Sequence, residues 1–528
     1  MTNRIMTDLR DNRRFFGIGE VLSLSWPASL GMLNATLMRF VDGWMISYTG
    51  PGPFAAQMVG GLAAFVPESF ATGLLAVVNT YVSQNLGAGR LKRCGQYAWA
   101  GLALAFVFCV LIAPLAFVAT PIFRMLGQPA DILGLEAMYF SYMIMAIFFT
   151  LTARPIEQFF YGVGMSRVVL WASIIANIVN FLLDYLLIFG RSGFVVLQRI
   201  PGLESTGGAL MQFFDFDGMG LRGAAIATVV SSGAYLVFLL LIFLRRKIHV
   251  RFGTRLMRAM RLRQCLDLLK TGWPAGVQFL NDILPWSIMF SMLVGRFGEV
   301  HLAASSAAMR WMPLSFMPAV GIGVAATALV GKYIGEGKPA IARRRAHAAV
   351  LLALAYMGVC ATAFLVLREP MVRLFTTVIP SGDLSPEKAA AMADQIVSLG
   401  GYVMICATVF QLFDAIGIVF VGALRGAGDT LGPMVATIVL SWSLTVGGGY
   451  LLVTYVPQWT SIGPWVAGSA YVIVMGLSMA WRFEAGGWRK INLLKRPTPA
   501  GLHLEPLPPM AAIPGEEDTI ERPKTKSD

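Results

Sequence analysis

The chain is poor in the residues that usually solvate a protein surface. Only 13% of its 528 residues are charged, whereas 56% are hydrophobic, and the mean hydropathy is +0.66. A single soluble core could not bury that much apolar surface. The scarcity of charge therefore excludes an ordinary soluble protein and predicts an integral membrane protein.

Cysteine, histidine and catalytic motifs are also scarce. The five cysteines are scattered and odd in number, so they predict neither a disulfide framework nor a metal cluster. The chain contains no HExxH, GxSxG or Walker sequence and no close set of histidine and carboxylate residues. We therefore expect no catalytic residues, no enzymatic activity and no cofactor.

Long apolar runs are what the sequence has in abundance. They recur from about residue 18 to residue 484 and are separated by short polar loops, whereas the strands of a membrane barrel would be shorter and alternating. The pattern predicts an all-α integral membrane protein. Its twelve transmembrane helices are expected at 18–45, 55–83, 97–122, 133–157, 166–190, 219–245, 267–295, 302–331, 346–368, 395–424, 431–455 and 463–482.

Lysine and arginine are distributed unevenly between alternate loops. One set of loops, which includes residues 90–93, residues 245–270 and Arg425, collects most of the positive charge. Cytoplasmic loops carry this excess, so both termini are expected to be cytoplasmic and the protein to be multi-pass in the plasma (inner) membrane. The net charge of +13 is then explained by attraction to membrane lipid head groups, and no nucleic-acid partner is expected.

The sequence repeats itself. Trp26-Pro27-Ala28 matches Trp273-Pro274-Ala275, QNLGAGR matches KYIGEGK, and FYGVGMS matches LRGAGDT, in the same order and at nearly constant offset. Such self-similarity predicts two six-helix lobes related by a pseudo-two-fold axis along the membrane normal. The expected segments are a cytoplasmic N-terminal segment at 1–17, lobes at 18–245 and 267–484, a basic cytoplasmic linker at 246–266, and a disordered cytoplasmic tail at 485–528.

Ionisable residues inside the apolar runs are candidate functional groups, because each costs roughly 2.5–3.5 kcal/mol to insert into a membrane. Asp184 stands out because it lies one helical turn after Asn180, so their side chains share a face. A carboxylate beside an amide oxygen suits Na+ or a bound proton. The alternative is an aspartate held by Asn180 for structure alone. The whole set comprises Arg39, Asp42, Glu68, Arg154, Glu157, Asp184, Asp282, Arg310 and Asp414.

The other candidates also have structural alternatives. Asp42 is expected either to join a cation site or to pair with Arg39, three residues before it. Asp282 and Asp414 are expected either to bind a cation or substrate or to be neutralised by Arg310. Glu68 follows a proline, and its role is left open.

Several motifs resemble the multidrug and toxic compound extrusion (MATE) transporters. These are QNLGAG after the second helix, NFLLDYLLIFG in the fifth, GLRGAAIATVV in the sixth and GALRGAGDTLGP after the tenth, and the likeness covers about residues 15 to 485. The resemblance implies a cation-coupling site in the first lobe. Its residues would be Asp42, Asn180, Asp184, Ala224 and Thr228, of which the first three would ligate Na+ in a sodium-coupled protein.

The resemblance also implies a second set of acidic residues, Asp282 and Asp414, for a cation or for substrate. Glu68 and Arg310 are further candidates. Two features depart from the family pattern: Arg39 stands beside Asp42, and the segment from Gly190 to Gly220 is longer than expected. That segment would be either a cap over the exit path or an unstructured insertion.

The function implied is that of a monomeric secondary active antiporter. It would export amphipathic, cationic organic compounds in exchange for Na+ or H+, with the two lobes alternating between inward-facing and outward-facing arrangements. The alternative is a flippase for lipid-linked saccharide or another lipid, which the intramembrane arginines Arg39, Arg154 and Arg310 favour.

Overall fold

In the computed structural model the chain folds as a helical bundle. The structure describes residues 17–191, 216–257, 260–376 and 386–494. The expectations for residues 1–16, for most of the long segment before residue 216 and for residues 495–528 concern residues outside these ranges. Residues 485–494 of the predicted tail are described, and Trp488 among them is 1% exposed, so this part packs against the bundle. The described residues form no β-strand.

The number of spans agrees with the sequence. Eleven helices in the described part of the chain are long and apolar enough to cross a membrane. A twelfth, α1, has 30 residues but carries Glu20, Arg39 and Asp42. The helices are α1 Ile18–Ser47, α2 Pro51–Gly87, α3 Leu91–Ile112, α4 Ala130–Gly162, α5 Ser166–Phe189, α6 Leu221–Phe243, α7 Leu262–Phe297, α8 Glu299–Gly335, α9 Pro339–Val366, α10 Pro386–Ala427, α11 Leu431–Tyr455 and α12 Ile462–Glu484.

Two helices that the sequence predicts as continuous are interrupted in the second lobe. The first segment of α7 ends at Asn281, four residues before Pro285, and the first segment of α8 ends at Met309, four residues before Pro313. Proline has no N–H and its ring blocks the carbonyl four residues earlier, which accounts for both breaks. Asp282, which the sequence predicts to lie inside a continuous helix 7, therefore lies at a break in α7.

The sequence repeat corresponds to equivalent packing in the two lobes. A Cβ at Gly73 of α2 would lie 2.5 Å from the carbonyl oxygen of Ala275 in α7. A Cβ at Gly321 of α8 would lie 2.5 Å from Cα of Ser29 in α1. Each glycine thus lets the second helix of one half approach the Trp-Pro-Ala region of the other, which is the relation expected of two lobes about a pseudo-two-fold axis.

The glycine motifs at the ends of α2 and α8 also contact each other reciprocally. A Cβ at Gly87 would overlap the carbonyl oxygen of Lys332, and a Cβ at Gly335 would overlap that of Gln84. Gln84 and Lys332 are themselves equivalent positions of QNLGAGR and KYIGEGK. The architecture of twelve helices in two lobes is confirmed, whereas the exact lobe boundaries stay predictions.

The lobes are joined at one end of the bundle, which we call the basic end because residues 90–93, 245–270 and 332–345 lie there. Glu20 of α1 accepts hydrogen bonds from Lys332 (3.0 Å), Tyr333 (2.7 Å) and Arg345 (2.7 Å) of the other lobe. Further cross-lobe hydrogen bonds are Gln84 Nε2 to Gly426 O at 3.0 Å, Thr80 Oγ1 to Arg425 O at 2.8 Å and Ser29 Oγ to Pro318 O at 2.7 Å.

The lobes part toward the opposite end. Arg39, Asp282 and Arg310 lie within the membrane-spanning helices α1, α7 and α8, away from the helix ends, yet all three are exposed. Charged groups at that depth would not face lipid, so they mark a water-accessible cleft between the lobes. The bundle is therefore closed at the basic end and open at the other.

The reciprocal glycine contacts generate a prediction about stability. Gly335→Ala and Gly87→Ala should each lower the midpoint of thermal unfolding of the detergent-purified protein, because an added methyl group overlaps a backbone carbonyl and overpacking costs about 1–3 kcal/mol. Gly134→Ala is the matched control, since no atom lies within 4 Å of its added Cβ and it sits within a helix. An equal midpoint for Gly335→Ala and Gly134→Ala would contradict the close approach of α2 and α8.

Candidate cation and substrate sites

The first-lobe candidates come together where α1, α5 and α6 meet. Asp184 is 0% exposed, Asn180 1%, Asp42 7% and Ala224 1%, whereas Thr228 is half-buried. The hydroxyl of Thr228 donates to the carbonyl oxygen of Ala224 at 3.0 Å. Asp42 and Asp184 come together, and Asn180 lies one turn before Asp184 on α5. Ala224 and Thr228 lie on α6, which packs against α5, and their part in a cation site stays a prediction.

The carboxyl groups of Asp42 and Asp184 face each other at short range. Within the described residues, both carboxylate oxygens of Asp184, Oδ1 of Asp42 and Nδ2 of Asn180 have no hydrogen-bond partner outside this pair. No lysine or arginine of the described chain lies within ion-pair distance of either aspartate. Two buried carboxylates without an ion-paired counter-charge repel each other, so the arrangement favours a bound cation or a shared proton.

Arg39 forms no ion pair with either aspartate, although its charge interacts with Asp42 at longer range. Its Nε donates to the carbonyl oxygen of Ala35 at 3.4 Å, and its side chain is exposed, whereas Asp42 is directed toward Asp184. The alternative in which Arg39 and Asp42 form a local ion pair is therefore not found. Arg39 instead adds positive charge to the wall of the cleft.

The donor set of the first lobe suits a small cation. Two carboxylates and the amide oxygen of Asn180 are oxygen ligands of the kind that hard cations take. The same two carboxyl groups are equally suited to hold one proton between them. Buried carboxylate oxygens of Asp42 and Asp184 have no hydrogen-bond donor, and this observation supports either a bound cation or a shared proton.

Glu68 and its neighbours form a separate polar group between α2 and α4. Thr150 donates to Glu68 Oε1 at 2.8 Å, and Arg154 Nη1 lies 3.1 Å from Glu157 Oε2. Arg154 and Glu157 are three residues apart on α4 and form an ion pair within that helix. Glu68 has a partner on α4, and its role beyond that contact stays open.

The second-lobe candidates surround the break in α7. The side chain of Asp282 is accessible to solvent, yet other parts of the protein surround it. It therefore lies in the cleft and not in a packed core. Asp414 of α10 is half-buried and interacts electrostatically with Asp282, and Tyr471 of α12 lies near both. No such interaction links these two aspartates to Asp42 or Asp184, so each lobe has its own acidic group.

The arginine that interacts electrostatically with Asp282 is Arg425 and not Arg310, which the sequence suggested. Arg425 belongs to α10 and lies over the Phe279 ring at 5.4 Å, where it interacts with Asp282. Arg310, the partner considered from the sequence, lies over the Phe375 ring at 5.3 Å. Arg425 lies two residues before the end of α10, and its guanidinium group lies against Phe279 of α7. Its assignment to the cytoplasmic side stays a prediction.

Sequence reasoning also missed the polar neighbours of Asp282. Asn281 Nδ2 donates to Ser441 Oγ at 3.0 Å, and Trp442 Nε1 donates to Asn281 Oδ1 at 2.9 Å. These contacts join the break in α7 to a π-helical segment of α11, Ser441–Gly448. π-Helical turns are rare and recur at functional sites, but neutral polar residues give no hydropathy signal that would have found them.

These features define a class: a multi-pass helical membrane protein of two related lobes, with an acidic group in each lobe and a cleft between them. Within that class, the chain belongs to the MatE family, whose model matches residues 27–186 and 283–451, one segment in each half. The resemblance seen in the sequence motifs is thereby confirmed.

Individual relatives and solved structures agree with this assignment. A probable multidrug resistance protein NorM of Burkholderia pseudomallei is 27% identical over 472 residues, covering 88% of this chain and 92% of the relative. Multidrug resistance protein PmpM of Pseudomonas aeruginosa is 25% identical over 441 residues, covering 82% and 83%.

Among solved structures, a MOP superfamily transporter from Pyrococcus furiosus matches with a TM-score of 0.77 at 19% identity, covering 90% of this chain and 97% of that one. A MATE transporter of Vibrio cholerae matches with a TM-score of 0.75 at 17% identity, covering 91% and 98%. At these identities the structural likeness concerns the fold.

The uncompensated pair predicts an unusual effect on stability. Asp184→Asn should raise the unfolding free energy in the absence of Na+ at alkaline pH, by about 1–3 kcal/mol, because it removes one of two buried facing charges. Wild type should gain stability when Na+ is added or pH is lowered, and the variant should gain less. Thermal unfolding of the purified protein in a Na+ series and a pH series measures both effects.

Asp131→Asn, an exposed aspartate of α4, serves as the control and should change stability by no more than about 0.5 kcal/mol. A loss of stability in Asp184→Asn under every condition would instead indicate an aspartate that serves structure alone.

Proposed function

We propose that this protein is a secondary active multidrug antiporter of the plasma (inner) membrane. It acts as a monomer and exports amphipathic, cationic organic compounds in exchange for Na+ or H+. The single observation that carries the proposal is the pair of buried carboxyl groups, Asp42 and Asp184, whose acceptors lack partners in the described chain. The names of the NorM and PmpM relatives, both multidrug resistance proteins, support the choice of drugs as substrates.

The open and closed ends of the bundle assign a state to the structure. With both termini and the basic end in the cytoplasm, the lobes are closed inside and open outside. An ion entering from outside then reaches the carboxylate pair through the open side. Alternation would require the cross-lobe contacts around Glu20 to separate while the opposite end closes.

Coupling requires only that ion and compound favour different arrangements of the lobes or compete for the same groups. Asp42 and Asp184 are the coupling groups of this proposal, with Asn180 and Thr228 as neutral oxygen ligands. Asp282 and Asp414 offer negative charge to a cationic compound in the cleft. Arg425 limits that charge, so the second lobe attracts cations less strongly than two unpaired aspartates would.

Dye efflux from proteoliposomes tests the antiport. A Na+ gradient and a proton gradient are imposed in separate experiments, and wild type should expel a fluorescent cationic dye in one of them. The gradient that drives efflux identifies the coupling ion. Asp184→Asn should lose the gradient-driven component by roughly tenfold or more, because the exchangeable charge is absent. Asp131→Asn should transport as wild type does. Normal gradient-driven efflux by Asp184→Asn would reject the coupling role.

Labelling of a buried cysteine tests the alternation of the lobes. Ala326 of α8 is 0% exposed and packs with Val21 of α1, close to the Glu20 contacts. In a background without the natural cysteines, Ala326→Cys should react slowly with a thiol reagent. Adding Glu20→Ala should speed this reaction, roughly tenfold, since it leaves Lys332 and Arg345 without their shared carboxylate across the lobes.

Glu336→Ala is the control for this experiment, because Glu336 pairs with Lys338 of its own lobe at the same end. Equal acceleration by both variants would mean that Glu20 does not hold the lobes together.

A lipid flippase remains the second candidate, and Arg425 is the observation that favours it. Together with Arg39 and Arg310 it gives the cleft more positive charge than the sequence predicts. Such charge suits the phosphate of a lipid-linked precursor. Loss of lipid-linked precursor turnover on deletion, with unchanged drug sensitivity, would select this candidate.

A further inference from the structure

A groove outside the cleft lies between the end of α6 and the segment that follows it. It has a volume of about 440 Å³ and is lined by Val237, Leu240, Leu241, Leu244, Arg245 and Arg255. Neither acidic group of the lobes contributes to it. Four of the six lining residues are aliphatic, and the two arginines stand together at the basic end.

The apolar wall of the groove faces the membrane. Its four aliphatic residues are spaced i, i+3, i+4 and i+7, so they form one face of α6. Val237 is 54% exposed and Leu241 68% exposed, and α6 crosses the membrane. This face therefore presents a strip of aliphatic surface along which an acyl chain can pack, ending where the arginines begin.

The arginine side of the groove is held in place. Arg255 Nε donates to the carbonyl oxygen of Leu244 at 2.7 Å, which ties the segment after α6 back to the end of the helix. The short helix Arg246–Phe252 is anchored by the Phe252 ring, which is 1% exposed, and Trp99 Nε1 donates to the carbonyl oxygen of Thr254 at 2.8 Å. The guanidinium groups therefore stand on a structured support.

The positive charge of this side is not compensated by the protein. Residues 245–266 contain no aspartate or glutamate. Within the described part of the chain, neither Arg245 nor Arg255 has a carboxylate within ion-pair distance, and both are exposed. Arginine is well suited to bind a phosphate because its donors are arranged in a planar fork.

We propose that this groove binds an anionic phospholipid from the leaflet at the basic end of the bundle. The lipid phosphate contacts the guanidinium groups of Arg245 and Arg255, and one acyl chain lies along Val237, Leu240 and Leu241. The match of a basic rim to an apolar wall at the level of a membrane surface selects this occupant. The site is independent of the transport proposal.

Lipid titration with native mass spectrometry of the full-length, detergent-purified protein tests the site. Wild type should retain phosphatidylglycerol more tightly than phosphatidylcholine. The double variant Arg245→Ala/Arg255→Ala should weaken phosphatidylglycerol binding by roughly fivefold for each arginine removed and leave phosphatidylcholine unchanged. Leu241→Trp, which fills the groove and keeps both charges, should weaken both lipids.

Arg246→Ala/Arg263→Ala is the matched control, because it removes the same charge from exposed positions of the same segment that do not line the groove. It should retain phosphatidylglycerol as wild type does. If both double variants lost phosphatidylglycerol binding equally, the effect would be general attraction by a basic surface, and the proposed site would be rejected. Equal retention of the two lipids by wild type would overturn the role of the arginines.

Discussion

Two carboxyl groups that lie side by side away from water repel each other unless a cation or a proton joins them. Asp42 supplies one of these groups from α1, and Asp184 supplies the other from α5. The same helix α1 carries Glu20 and Ser29, which contact the second lobe at the basic end. One helix, α1, thus takes part in both the acidic pair and the contact between the lobes, with Pro27 between Glu20 and Asp42.

The second lobe is built with more irregular helices than the first. Its break at Asp282 exposes a carboxylate and the polar ends of a helix to the cleft, and Asn281 joins this break to the π-helical turn of α11. Irregular backbone at membrane depth is tolerated where it lines a cavity. The two lobes thus share a fold but differ in chemistry. The first has a buried pair of carboxyl groups, and the second has acidic groups in the cleft whose charge is partly offset by Arg425.

Much of this arrangement can be predicted from the sequence, and there are physical reasons why the rest cannot. Length and hydropathy predict the spans because lipid imposes both on every crossing helix, and the Trp-Pro-Ala and glycine motifs predict the duplication. The meeting of Asp42 with Asp184 depends on how α1 packs against α5, which no local spacing encodes. The interaction of Arg425 with Asp282 was not predicted, because a hydropathy pattern locates a backbone, whereas an arginine side chain extends several ångströms beyond it.

The reciprocal glycine contacts bear on how such a chain arose. Gly87 contacts Lys332, and Gly335 contacts Gln84. Because Gly87 is equivalent to Gly335 and Gln84 to Lys332, exchanging each residue for its equivalent turns one contact into the other. This is the geometry of an isologous interface, in which the same patch on two copies binds itself. A half-length ancestor could therefore have assembled as a homodimer through this very patch. With six spans per half, both copies would enter the membrane in the same direction, so gene fusion needed no reversal of topology.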